Sequence, residues 1–86
     1  MIKTCVVNLR YIPYDVRITR PGPFGNPFVI GRDGDRATVI AKFESWVRSQ
    51  PELVARIQRE LRGRRLGCVC APALCHGDVL VRIADE

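Results

Sequence analysis

Apolar positions change their spacing along the chain, and each change predicts an element. Cys5-Val6-Val7-Asn8-Leu9 is a short, nearly continuous apolar run and predicts a buried strand. Tyr11-Ile12-Pro13 ends it in a turn, because Pro13 has no backbone N–H and restrains Ile12. Tyr14 to Thr19 then alternates apolar and polar. That period predicts a half-buried strand with Tyr14, Val16 and Ile18 inward.

Arg20-Pro21-Gly22-Pro23-Phe24-Gly25-Asn26-Pro27 reads as a stiff loop, since prolines fix φ and glycines admit positive φ. Phe28-Val29-Ile30 is a short apolar piece, and Gly31 to Asp35 is a turn. Asp33 or Asp35 is the expected N-cap of the helix that follows. From about Arg36 to Arg48 the spacing becomes helical, with Val39, Ile40, Phe43, Trp46 and Val47 on one stripe. Pro51 suits the first position of a second helix. Leu53, Val54, Ile57 and Leu61 form its apolar stripe, and Gly63 closes it. Glu52, Arg56 and Glu60 follow each other at i, i+4 on its outer face.

Leu66 to Cys70 predicts a third strand, and Ala71 to Leu74 a turn. A short last helix can start at Gly77 or Asp78, with Val79, Leu80 and Ile83 inward. A run this short also reads as a strand. The order β-β-loop-α-α-β-loop-α predicts an α/β fold, with α+β as the alternative. It is a single domain over residues 1–86, with about three strands and three helices in two or three layers.

Composition narrows the function classes. At 86 residues with 47% apolar positions, the chain can close one small core and is not disordered by composition. No apolar run approaches the ~20 residues of a membrane-spanning helix. Met1-Ile2-Lys3-Thr4-Cys5 lacks the pattern of a secretory leader, so a cytoplasmic setting is expected. Disulfides are then not expected to explain the cysteines. Three of the four, Cys68, Cys70 and Cys75, stand close together, and the only histidine, His76, follows at once. Such a gathering suits metal binding or thiolate chemistry.

Two site chemistries follow. Cys68, Cys70, Cys75 and His76 have the ligand types and count of a zinc set, although C-x-C is tighter than common zinc spacings. Alternatively, Cys70, Cys75, His76 and Asp78 face a pocket at the carboxyl end of a strand. Arg20 would add a cationic fork there, Asn26 an amide, and His76 or a thiolate the reactive group. The plainer reading makes the cysteines small buried hydrophobes and lets His76 and Asp78 cap the last helix.

The net charge of +5, carried by twelve arginines and two lysines, suits an anionic partner. Arg59, Arg62, Arg64 and Arg65 form a basic cluster that could meet nucleic acid. Tyr11 and Phe24 are the only aromatic residues expected to be exposed for base stacking. The plain alternative is that these arginines stay solvated and offset a helix C-terminus.

Arg20-Pro21…Gly25-Asn26-Pro27-Phe28, then Cys68-Val69-Cys70-Ala71-Pro72…Cys75-His76-Gly77-Asp78-Val79-Leu80, resembles the domain of unknown function 4326 family. The resemblance runs from Tyr14 to Leu80. It implies a short bacterial or phage protein, acting in the host cytoplasm if phage-encoded, in which the two segments belong together. It implies no activity.

The leading expectation is a zinc-binding accessory or host-interaction module, with a host protein or nucleic acid as partner. The alternative is a domain or enzyme for a nucleotide or phosphate-bearing ligand, with Cys70, His76 and Asp78 working beside the Arg20–Asn26 loop. That alternative requires Arg20 and His76 within roughly 15 Å of each other. A third reading, an inhibitor domain without a site, requires an exposed apolar patch.

Overall fold

The computed structural model describes residues 3–86, so the reading of the first five residues falls partly outside the described chain at Met1 and Ile2. The strands are β1 (Cys5–Asn8), β2 (Val16–Arg17) and β3 (Arg65–Cys68). The helices are α1 (Arg36–Arg48), α2 (Pro51–Leu61) and α3 (His76–Asp85). The sheet order is β1-β3-β2, and both pairings are parallel. Val6 and Val16 flank Leu66 in one row across the sheet. The fold is α/β, as the order of elements predicts.

The central strand has two unlike faces. Leu66 and Cys68 are buried in the core that holds the helix residues Phe43, Val47, Ile57, Leu61, Leu80 and Ile83. Gly67, between them, faces the other way. There the chain from β1 to β2 crosses the sheet. A Cβ on Gly67 would lie 2.8 Å from Cγ of Tyr14, so only glycine lets the crossing segment lie this close. Tyr14 therefore covers the sheet instead of extending β2. Together with Tyr11 and Ile12 it stays exposed.

The strands are shorter than the apolar runs because turns take over their backbone groups. Asn8 O accepts from both Tyr11 N and Ile12 N, which closes the chain after β1. Past Cys68, Cys70 N donates to Cys68 Sγ instead of a neighbouring strand. Asp35, rather than Asp33, caps α1: its Oδ1 accepts from Thr38 N at 2.8 Å. Asp33 instead accepts from Val29 N at 2.7 Å and holds the preceding turn. Gly63 adopts φ 75° between α2 and β3, a conformation that favours glycine. The last element is a helix, and it starts at His76, before the expected Gly77 or Asp78.

Two aromatic expectations need correction. Phe24 is not exposed for stacking: it is buried, with the Arg56 guanidinium 5.2 Å from its ring centroid. Trp46 lies at the edge of the core, partly exposed, with its ring against Phe28 and Phe43. No helix among the described residues is long and apolar enough to cross a membrane.

Candidate functional site

Parallel pairing puts the carboxyl ends of β2 and β3 side by side, so the loops that leave them meet. Between those loops and α1 lies a cavity of about 250 Å³. Thr19, Arg20 and Asn26 line it from the loop after β2. Cys68, Cys70, Cys75 and His76 line it from the segment after β3. Phe28, Val29, Ile30, Val39 and Ile40 give it a mainly apolar wall. Arg20 and His76 thus face one cavity, as the pocket reading requires.

The floor is built by a strand end and a helix start. Cys75 is the N-cap of α3, and its Sγ accepts from Gly77 N at 3.3 Å. Asp78 reaches back to accept from Cys75 N at 3.0 Å, completing a capping box. Cys68 Sγ stands 3.3 Å from Cys75 Sγ, in a sulfur–sulfur hydrogen bond. The pair titrates as one unit. The hydrogen bond from the Cys75 thiol lowers the Cys68 thiol to about 5, with the Cys70 N–H helping. The same bond and burial raise Cys75. Of the two sulfurs, Cys68 is therefore the more readily ionised and Cys75 the one that holds its proton.

His76 is buried, with its ring edge-on to Phe43 at 5.1 Å. Its Nε2 lies 2.8 Å from Ile18 O. A carbonyl can only accept, so Nε2 carries the proton and donates it. Burial lowers the imidazole below its ordinary value and outweighs the raising effects of the Ile18 carbonyl and the Cys68 charge. His76 is thus a neutral imidazole that ties the start of α3 to the end of β2.

The rim is cationic. Arg20 Nη1 donates to Asn26 O at 3.1 Å, which fixes its fork over the loop. Gly25 makes this curl feasible, because a Cβ there would sit 2.9 Å from Arg20 N. Arg36 Nη1 donates to Leu74 O at 2.9 Å and bridges α1 to the loop before α3. Asn26 spends its amide on the fold: Nδ2 donates to Val39 O and Oδ1 accepts from Phe28 N.

The expected residues therefore divide. Arg20, Asn26, Cys68, Cys70, Cys75 and His76 come together around the cavity. Asp78 does not line it and serves as a cap. The four candidate zinc ligands are neighbours, but His76 directs Nε2 to Ile18 O. Among the described residues no group of three or more His, Cys, Asp or Glu side chains is arranged to hold a metal ion.

Three arginines of the basic cluster have partners of their own. Arg59 pairs with Glu60 at 3.5 Å. Arg62 donates to Ala84 O and Glu86 O at the end of α3. Arg65 meets Asp15 at 3.3 Å, and hydrogen bonds from its backbone and side chain lower that carboxyl.

Arg36 is the site residue that sequence reading misses. Its signal is electrostatic and partly masked by the Asp35 cap beside it: it is a cation at the first position of α1, and no acid follows in the first turn. A cation there opposes the positive end of the helix dipole. A residue that costs the helix something at that position invites a reason, and the cavity mouth supplies one.

No solved structure matches the chain. It is similar to an uncharacterised 12.4 kDa protein in the nrdA-td intergenic region of Enterobacteria phage T4. The two are 37% identical over 85 residues, covering 94% of this chain and 77% of that relative. The family match spans residues 6–86, wider than the motifs alone, and the chain belongs to the family described as Domain of unknown function (DUF4326).

Proposed function

We propose that this domain binds a small anionic ligand with an apolar or planar body, of the nucleotide class, in the cavity at the carboxyl edge of its sheet. The observation that carries this reading is the pair of guanidiniums, Arg20 and Arg36, brought from separate elements to the mouth of one cavity. Each commits Nη1 to a loop carbonyl. The rest of each fork is available to an anion in bidentate geometry.

The distribution of charge gives the ligand a direction. The mainly apolar wall suits a base or another flat group. At the floor, the readily ionised Cys68 sulfur and the apolar wall disfavour an anionic group. The anion therefore sits at the rim with the arginines, and the apolar body points inward. Ligand sites in open parallel sheets occupy this same edge.

Calorimetric titration with ribonucleoside monophosphates, the matching nucleosides and inorganic phosphate tests the reading. A monophosphate should bind more tightly than its nucleoside. Arg20→Ala and Arg36→Ala should each weaken it about 10-fold or more, the loss of one charge-assisted hydrogen bond of about 1.5–3 kcal/mol. Absence of binding by every monophosphate, or binding that ignores both substitutions, overturns it.

A further inference from the structure

Cys68 ends the central strand, and Cys75 caps the last helix. Their sulfurs stand 3.3 Å apart, and all four cysteines are free. A disulfide needs its sulfurs at about 2.05 Å, so only about 1 Å of closure separates this pair from a bond. Both sulfurs are already aimed. Cys70 N donates to Cys68 Sγ, and Gly77 N donates to Cys75 Sγ, each at 3.3 Å. Both cysteines are less than 5% exposed, yet both line the cavity floor. A small reagent can reach them through the cavity, and a bulky one cannot.

We propose that Cys68 and Cys75 are a redox-active dithiol, converted to an intramolecular disulfide by hydrogen peroxide that enters through the cavity and restored by a small thiol. In the first step the Cys68 thiolate attacks a peroxide oxygen. The O–O bond breaks, hydroxide leaves, and Cys68 becomes a sulfenic acid. In the second step Cys75 sulfur attacks the Cys68 sulfur. The S–O bond breaks, and the hydroxyl leaves as water with the Cys75 proton. Together the two thiol groups lose two electrons, and the peroxide gains them. The return path is thiol–disulfide exchange, in which the small thiol is oxidised.

The Cys70 N–H and the Cys75 thiol both approach Cys68 Sγ at 3.3 Å, and hydrogen-bond donors placed there favour the thiolate that the first step needs. Cys75 keeps the proton that the second step releases. The dithiol does not rest on the ligand reading. It needs only the two sulfurs and an open path. Cys70 is the nearest competitor: it is half-buried, lines the same cavity, and presents both its N–H and its thiol to the Cys68 sulfur, so the proposal rests on the 3.3 Å approach of Cys75 Sγ and the map must tell the two links apart. Cys5 lies at the far end of the ladder, paired with Arg65.

Intact mass measurement and non-reducing peptide mapping, after brief hydrogen peroxide treatment of the folded chain, test the proposal. The expected product is lighter by about 2 Da, is linked Cys68 to Cys75, and reverts with dithiothreitol. The same link should form in Cys70→Ser and Cys5→Ser, and be absent from Cys75→Ser. In Cys75→Ser, Cys68 should instead be trapped as a sulfenic acid that a dimedone-type reagent captures. Because the wild-type map decides the matter, a poorly folding variant does not spare the proposal. A link through Cys70, over-oxidation of Cys68 by about 32 Da without a link, or four thiols that survive peroxide each overturn it.

Discussion

The chain carries two local concentrations of one chemistry, sulfur and imidazole from Cys68 to His76 and guanidinium from Arg59 to Arg65, and the fold treats them in opposite ways. The first lies across a reversal from the end of β3 to the start of α3. That reversal sets Cys68 Sγ against Cys75 Sγ and puts four expected residues on one cavity. The second lies across the turn between α2 and β3, which Arg64 N closes on Leu61 O at 3.0 Å. Three of its arginines take separate partners: Glu60, the carbonyl end of α3, and Asp15. Nearness in sequence becomes a site only where the side chains find one another rather than separate partners elsewhere in the fold.

The largest effect should come from breaking the convergent region at His76. His76→Ala leaves Ile18 O without its donor in a buried place, which costs about 1–3 kcal/mol, and it opens a void beside Phe43. A total loss of about 2–4 kcal/mol is expected in urea unfolding. His76→Phe refills the volume without the donor and should recover only part of it. A loss below about 0.5 kcal/mol for His76→Ala would show that this imidazole does not hold β2 to α3.

Next in size is the pH profile, which the convergent region alone should produce. His76 folds with a lowered pKa, so its contribution is complete above the ordinary value of 6.5. It fades as pH falls from there toward the folded value. Cys68 is lowered from 9.0 to about 5, so its contribution is complete above 9 and is lost as pH falls toward 5. Cys75 is raised, so its contribution is complete below 9 and fades above it. Stability under reducing conditions should therefore peak near pH 9 and decline on both sides. Cys68→Ser should flatten the stretch between the acid loss at His76 and the peak. Melting temperatures from pH 5 to 10 read this directly, and a flat wild-type profile sinks it.

Much of this was legible in the sequence, for reasons that differ by element. The stripe of α1 and the Pro51 start of α2 follow from helical spacing and one fixed φ, which are local properties. The meeting of the Arg20 loop with the Cys68–His76 segment followed from one condition, that β2 and β3 lie parallel and adjacent. The rest depended on tertiary partners. Tyr14 alternates like a strand residue, yet it leaves the strand to cover Gly67, which no local pattern encodes. Phe24 is buried and Trp46 half-exposed, against expectation, because the loop after β2 turns Phe24 into the core and leaves Trp46 at its edge. Asp78 and Asn26 have the chemistry of ligand-binding groups, but unpaired backbone N–H and C=O groups nearby claim them first. Arg36 was hidden because its role needs Leu74, far along the chain.

The smallest effects test the dispersed region, and there the arginines should differ among themselves. Arg62 donates Nε to Ala84 O and Nη2 to Glu86 O, so it closes the carbonyl end of α3 from another element. Charged donors at a helix C-terminus satisfy orphan carbonyls and complement the dipole. Arg62→Ala should therefore cost about 1 kcal/mol. Among the described residues Arg59 has only an exposed pairing with Glu60, which Arg56 already holds at 2.7 Å. Arg59→Ala should cost less than about 0.5 kcal/mol. Urea unfolding of the two variants side by side makes the measurement, and 0.5 M salt should leave the Arg62 difference larger than the Arg59 one, because a cap made of hydrogen bonds survives screening better than an exposed ion pair. Equal losses for the two, or a larger loss at Arg59, would mean that the cluster acts as one charged surface after all.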